Sequence, residues 1–324
     1  MAKDKNRFST EPYKGVRDFY PEDMAVQNYI FSVWRKVSEQ SGYQEYSASL
    51  LEYAELYRNK GSEEIVNEQM YVFKDKGDRE VALRPEMTPT LARMIAAKRK
   101  SLKFPLRWYS IPNVFRYERP QRGRRREHWQ LNCDLMGIAG IEAEVEIISL
   151  AHKVMKEFGA KDEDFQIRVN DRRRFDEALN ASGDVSESTR KVVMRIMDGW
   201  EKNDNSKQEL IRNLGEEKSE QFLSYLEKNK SGKALDELVN QLNSKGIKNC
   251  VIDTNIARGF DYYTGTVFEV FDTNPENRRS LFGGGRYDNL LEIFGVEPVP
   301  TVGFGMGDVT IRDFLTTHNL PLKR

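Results

Sequence analysis

The sequence predicts a mixed α+β fold in which a helical module is inserted into a continuous sheet domain, and three patterns carry that reading. Apolar residues recur at helical spacing near residues 21–42 and 142–158. Short segments rich in β-branched and aromatic residues lie between those two stretches. From about Asn180 to Lys248 the composition turns to Asn, Ser, Lys and Glu, after which strand character returns at Cys250 to Ile252 and Thr266 to Phe271.

Taken in order, the first helix opens at Pro21-Glu22-Asp23, a start signal. It carries Val26, Tyr29, Ile30, Val33, Trp34 and Val37 on one face and stops at Gly42. Met70 to Phe73 and Val81 to Arg84 read as a strand pair around the turn Asp75-Lys76-Gly77-Asp78, and Arg107 to Ile111 as another strand. Glu142 to Phe158 is the second helix, with Val145, Ile148, Val154, Met155 and Phe158 ahead of Gly159. Within the polar stretch, Leu210, Leu214, Phe222, Leu223 and Leu226 keep helical spacing, so a small bundle is expected there rather than disorder. The expected organisation is therefore 1–175, then the module 176–248, then 249–324.

The 324 residues are 39% apolar, enough for a sizeable core. Lys plus Arg and Asp plus Glu both number 51, so whole-molecule charge cannot be what draws a polyanion; any such attraction is local. No apolar run approaches the roughly 20 residues that span a bilayer, and the N-terminal stretch lacks the apolar core of a secretory signal. A cytoplasmic protein without membrane partners is the expectation. Two cysteines and three histidines offer no zinc or disulfide spacing, so no metal ligand is assigned.

Six arginines fall between positions 116 and 126. In a strand, alternation sets Val114, Arg116 and Glu118 on one face; on the return strand Gln130, Asn132 and Asp134 share a face while Leu131, Cys133 and Leu135 point to the core. A charge run alone reads as a solvated face. Aligned amide and carboxyl groups beside fork-shaped guanidiniums read as a polar floor for a phosphate-bearing ligand. Two further segments suggest close backbone approach. Leu281-Phe-Gly-Gly-Gly-Arg-Tyr-Asp288 reads as a glycine turn before a helix start, suited to an anion. Thr301-Val-Gly-Phe-Gly-Met-Gly307 reads as a small-residue strand leading to a helix capped by Asp308.

Five segments in order, Lys14-Gly-Val-Arg-Asp-Phe19, Leu83-Arg-Pro-Glu-Met-Thr88, Phe115-Arg-Tyr-Glu-Arg-Pro120, Arg258-Gly-Phe-Asp-Tyr-Tyr263 and Gly283-Gly-Gly-Arg-Tyr-Asp288, make the chain resemble the histidyl-tRNA synthetases, class II aminoacyl-tRNA synthetases, over nearly its whole length. The resemblance implies an antiparallel sheet flanked by helices and a homodimer formed through about Tyr29 to Leu51. It also implies ATP-dependent activation of L-histidine to histidyl-adenylate, assisted by Mg2+, and transfer to tRNA(His). By position, Arg116 and Arg258 would be catalytic, holding the α-phosphate of ATP, and would also take part in binding histidine. Glu86, Thr88 and Gln130 would hold the amino group of histidine, and Asp134, Tyr262, Tyr263 and Tyr287 would complete its pocket. Glu118 and Arg124 fall on the ATP side; Gln121, Arg122 and Arg125 fall where the loop meets tRNA.

Three departures from the family pattern stand out. Ser49 replaces a proline of the first motif, and His128 stands where an adenine-stacking Phe is common. Val309 and Thr310 stand where the third motif ends in Glu-Arg, so the arginine expected on the γ-phosphate is missing. Arg312, two positions on, would face about 200° away on a helix. The family continues into an anticodon-binding domain where this sequence stops, so that domain is expected to be absent. The competing reading is the synthetase-like regulatory subunit of ATP phosphoribosyltransferase, which senses histidine without catalysis. Arginines suited to tRNA favour the synthetase, and aligned Gln130 and Asp134 disfavour a general nucleic-acid binder.

Overall fold

The computed structural model describes residues 9–58, 65–198, 200, 203–229, 232–254, 256, 262–277 and 279–322. The first helix, α1 (Pro21–Gln40), buries Tyr29, Ile30, Val33, Trp34 and Val37, the face its spacing specifies, and the chain turns at Gly42 with φ +84°. Two short strands, β1 (Gln44–Glu45) and β2 (Leu51–Tyr53), lead into helix α2 (Ala54–Arg58). Strands β3 (Tyr71–Lys74) and β4 (Glu80–Leu83) pair around the expected turn, where the Asp75 carboxylate accepts from the backbone N–H of Gly77 and Arg79. Helix α3 (Thr88–Lys98) is followed by β5 (Leu106–Ser110), β6 (Asn113–Phe115) and β7 (Glu127–Met136). Helix α4 (Glu142–Glu157) comes next, then β8 (Phe165–Asp171).

Four helices, α5 (Arg173–Ala181), α6 (Glu187–Asp198), α7 (Ser206–Leu214) and α8 (Glu216–Lys228), gather Phe175, Leu179, Val193, Leu210, Leu214 and Phe222 into a core of their own. Helix α9 (Lys233–Ser244) differs: its Leu235, Leu238 and Leu242 join the main core beside α4. Strand β9 (Cys250–Ile252) then runs parallel to β8, and parallel neighbours need a crossover, which the whole helical stretch supplies. Strands β10 (Thr266–Asp272), β11 (Ser280–Arg286) and β12 (Thr301–Gly307) and helix α10 (Asp308–Thr317) complete the order.

Among the described residues, the central sheet runs β1-β5-β7-β12-β11-β10-β8-β9, with β6 paired to β7; the outer pairs β1·β5 and β8·β9 are parallel and the rest antiparallel. Helices α1, α4, α9 and α10 cover one face and enclose the main core, to which β7 contributes Leu131, Cys133 and Leu135. The other face carries the polar residues of β7.

Three expectations are corrected. The glycine run is the interior of β11, not a turn at a helix start. A Cβ at Gly284 would lie 2.0 Å from Gly303 O, and one at Gly285 2.7 Å from Thr266 O, so the glycines permit close strand packing and form no anion nest. The first strand of the arginine hairpin ends at Phe115, so Glu118 leaves the floor and its side chain faces Arg124 at 3.6 Å. Asp308 does not cap α10. Its buried carboxylate accepts from Arg17 at 2.7 Å, Gln27 at 3.1 Å and the backbone N–H of Trp129 at 2.9 Å, tying the N-terminal segment, α1 and β7 to the start of α10.

Candidate active site

Alternation along β7 places Gln130, Asn132 and Asp134 on the open face of the sheet. Opposite them on β12 stand Gly305 and Gly303. A Cβ at Gly303 would sit 2.2 Å from Asp134 Oδ1, and one at Gly305 2.3 Å from Gln130 Nε2. These glycines leave room for the site's own side chains, which is the close approach their spacing suggested. The β4–α3 connection brings Glu86 and Thr88 to the site, and Tyr262, Tyr263 and Tyr287 line it with them. Together with Arg116 they line one cavity of about 100 Å³.

Within it, Tyr287 donates from its hydroxyl to Asp134 Oδ1, and the Tyr262 hydroxyl donates to Glu86 Oε2 at 3.2 Å. Glu86 Oε1 is buried without a hydrogen-bond partner, an acceptor left open for a ligand. Arg116 is oriented by its Nε–H on Pro85 O at 2.9 Å, which leaves its terminal nitrogens for the cavity. The three tyrosine rings pack edge to face or tilted at centroid distances of 5.0, 5.5 and 6.4 Å, which fixes their hydroxyls.

Burial dominates the electrostatics. It pushes Glu86 up to about 7, against the opposing effects of Arg116 and the Tyr262 hydroxyl. It also pushes Asp134 up to about 7, against the Tyr287 hydrogen bond. His128, at the other end of the floor beside Gly307, is pushed down to about 3 by burial and then by the Arg116 and Arg17 charges, so it is a neutral ring at neutral pH. Both carboxyls bind protons more tightly folded than unfolded, so stability falls as pH rises from about 4 and levels off above about 7. Asp134→Asn should flatten part of that slope in ligand-free unfolding curves between pH 4 and 8. An unchanged slope would contradict the burial of this carboxyl.

Of the residues the sequence singled out, Glu86, Thr88, Arg116, Gln130, Asp134, Tyr262, Tyr263 and Tyr287 are brought together. Arg258 lies outside the described residues. Glu118 and Arg124 sit together on the loop after β6, apart from the cavity. Gln121 turns back on Arg124, and Arg125 is exposed. Arg122 lies against α10, its guanidinium 3.3 Å from Thr317 Oγ1 and 3.7 Å from Asp313. Arg126 is buried instead of lying on the loop surface, stacked 3.8 Å over Tyr117 with a hydrogen bond to the Tyr13 hydroxyl at 2.9 Å. Thr310 keeps its hydroxyl on Leu281 O at 2.7 Å, and Arg312 pairs with Asp23 at 3.0 Å, away from the cavity as its helical phase requires.

The antiparallel sheet, with a cavity built on the open face of β7 and β12, defines the catalytic domain of a class II aminoacyl-tRNA synthetase. A model of the histidyl-tRNA synthetase family matches residues 15–308. The chain belongs to that family. Histidine–tRNA ligase of Leptospira biflexa is 45% identical over 335 residues, covering 98% of this chain and 76% of the relative. Histidine–tRNA ligase of Thermoplasma volcanium is 40% identical over 322 residues, covering 93% and 74%. The fold is also that of the crystal structure of histidyl-tRNA synthetase from Nostoc sp. PCC 7120, with a TM-score of 0.78 at 23% identity over 98% of this chain and 78% of that one.

Proposed function

We propose that this chain activates L-histidine with ATP to histidyl-adenylate and transfers the histidyl group to tRNA(His). The observation that carries this reading is the pairing of Tyr287 with Asp134 in a cavity that Arg116 also lines. An imidazole offers a donor and an acceptor at fixed separation, and a carboxyl with a phenol reads both; an apolar side chain would leave them unpaired. Glu86 Oε1 takes the α-ammonium, with Thr88 and Gln130 beside it. The histidine carboxylate then points toward Arg116, attacks the α-phosphorus and expels pyrophosphate. Arg116, joined by Arg258, stabilises charge gathering on the α-phosphoryl oxygens. Glu118 and Arg124 serve ATP once the loop closes, and Gln121, Arg122 and Arg125 face the acceptor end of tRNA.

Magnesium carried in with ATP would supply neutralising charge on the phosphates. Among the described residues no three His, Cys, Asp or Glu side chains cluster to hold a metal. No helix among the described residues is long and apolar enough to cross a membrane. Residues 1–175 and 249–324 make the catalytic domain in this reading, with 176–248 as an insertion whose last helix, α9, packs back on the catalytic core.

The chain works as a homodimer in this reading. The α1 residues of the first motif are consumed in the chain's own core, but the next sheet, β2-β4-β3, turns Leu51, Leu83 and Tyr71, then Tyr53, Val81 and Phe73, to one open face. Leu51, Tyr53 and Phe73 are 47%, 55% and 46% exposed. Such a patch marks an association surface. Tyr53→Asp with Phe73→Asp should convert a dimer to a monomer in sedimentation velocity; an unchanged dimer would place the interface elsewhere. For the reaction itself, chain, ATP, histidine and hydroxylamine should yield histidine hydroxamate and AMP. Binding of histidine with ATP left intact would support the regulatory-subunit reading.

A further inference from the structure

We propose that Tyr46 and Ser110 are positioning residues, whose hydroxyls hold the Asp134 carboxylate in its ionised form when histidine is bound. The proposal rests on the reading of Asp134 as the imidazole acceptor.

The sheet carries the cavity floor one strand further than the cavity lining does. Across β5 and β7, Trp108 pairs with Asp134 and Ser110 with Asn132, while Tyr109, between them, is fully buried in the main core with its partner Cys133. Alternation therefore sets Trp108 and Ser110 on the same face as Asp134 and Asn132. Tyr46 continues the row from β1. Its N–H donates to Tyr109 O at 2.8 Å, and its ring tilts against Trp108 at 5.7 Å. Its hydroxyl neighbours the Ser110 hydroxyl and lies within range of the Asp134 charge.

Both hydroxyl oxygens are sealed from solvent, and neither meets a partner in good hydrogen-bonding geometry. Buried orphan hydroxyls are costly, and Phe and Ala would fill the same space without them. Their retention makes sense if a partner appears in a working state. In the free protein Asp134 needs only Tyr287. When an imidazole N–H donates to Asp134, the carboxyl must be ionised in a dry site, and it has lone pairs for further donors. Donors to the charged form favour that form. Tyr46, within range of that charge, and Ser110, beside it on the same face, are the hydroxyls placed to provide them.

Tyr46→Phe keeps the ring against Trp108 and removes only the oxygen. In histidine-dependent exchange of pyrophosphate into ATP, the histidine KM should rise about tenfold to a hundredfold, the size of a hydrogen bond to a charged group. The ATP KM should stay within about twofold. The melting temperature of the free protein should change little, because the hydroxyl removed meets there only the Ser110 hydroxyl, outside good hydrogen-bonding geometry. Ser110→Ala should act in the same direction. In an Asp134→Asn background, Tyr46→Phe should add nothing to the loss of histidine affinity measured by calorimetry. An active wild type with an unchanged histidine KM in Tyr46→Phe overturns this proposal alone. Equal rises in both KM values with a lower melting temperature would make the role structural and also overturn it. A wild type without histidine-dependent exchange would remove the functional reading and this proposal with it.

Discussion

Arg116→Ala is expected to lower the turnover of adenylate formation by about 10² to 10³ while leaving histidine affinity within a few fold. Its charge acts on oxygens that become more negative only as the α-phosphorus is attacked, so the interaction strengthens in the transition state. The guanidinium is held by Pro85 O in the wall of the cavity, and a shorter side chain there would not reach the phosphate. The loss should appear in kcat far more than in the histidine KM. Single-turnover ATP cleavage with a parallel histidine titration reads both numbers. Unchanged turnover would remove Arg116 from the chemistry.

The second large effect is on folding. Arg286 lies between three glycines and Tyr287, a setting that suggests a ligand contact, but its guanidinium faces away from the cavity. It forms a two-point ion pair with Glu144, both contacts at 2.6 Å and both side chains under a tenth exposed, and also reaches the carbonyls of Ile138 and Gly140. Arg286→Ala would leave a buried carboxylate and two carbonyls without their donor, a cost on the order of 3 to 5 kcal/mol. Arg286→Lys should recover only part of it, because an ammonium cannot make the planar fork. Arg286→Met with Glu144→Leu should be milder than Arg286→Ala, since no buried lone charge remains; Asp288, which Arg286 also meets at 3.3 Å, is partly open to water. Urea unfolding of the three variants checks this order. A small loss in Arg286→Ala would mean that the pair does not anchor β11.

What the sequence made legible follows from periodicity. The α1 face and the alternation of β7 were readable because each element buries one side, so the same residues that build the core announce the polar floor opposite them. Gln130 and Asp134 were found in that way. The glycine run of β11 is ambiguous in the sequence because consecutive glycines serve an anion nest and a tight strand pair equally well, and only the neighbouring carbonyls decide. Extending alternation past Phe115 puts Glu118 on the floor, but only Arg116 keeps the register, donating to Arg126 O; the Tyr117 N–H turns to Gln69 O and the Glu118 N–H to Arg116 O. Arg126 looked like its five neighbours in a charge run, and nothing local marks the tyrosines that bury it. Packing of α9 on the main core was hidden because its leucines have the same spacing whichever core receives them.

Histidine-dependent exchange of labelled pyrophosphate into ATP tests the central claim most directly, since it requires the cavity to bind histidine, orient its carboxylate and form the adenylate reversibly. The account predicts exchange with histidine and none with leucine, phenylalanine or glutamine, and loss of that exchange in Arg116→Ala. Exchange with several amino acids alike, or histidine binding with no exchange at all, would contradict it.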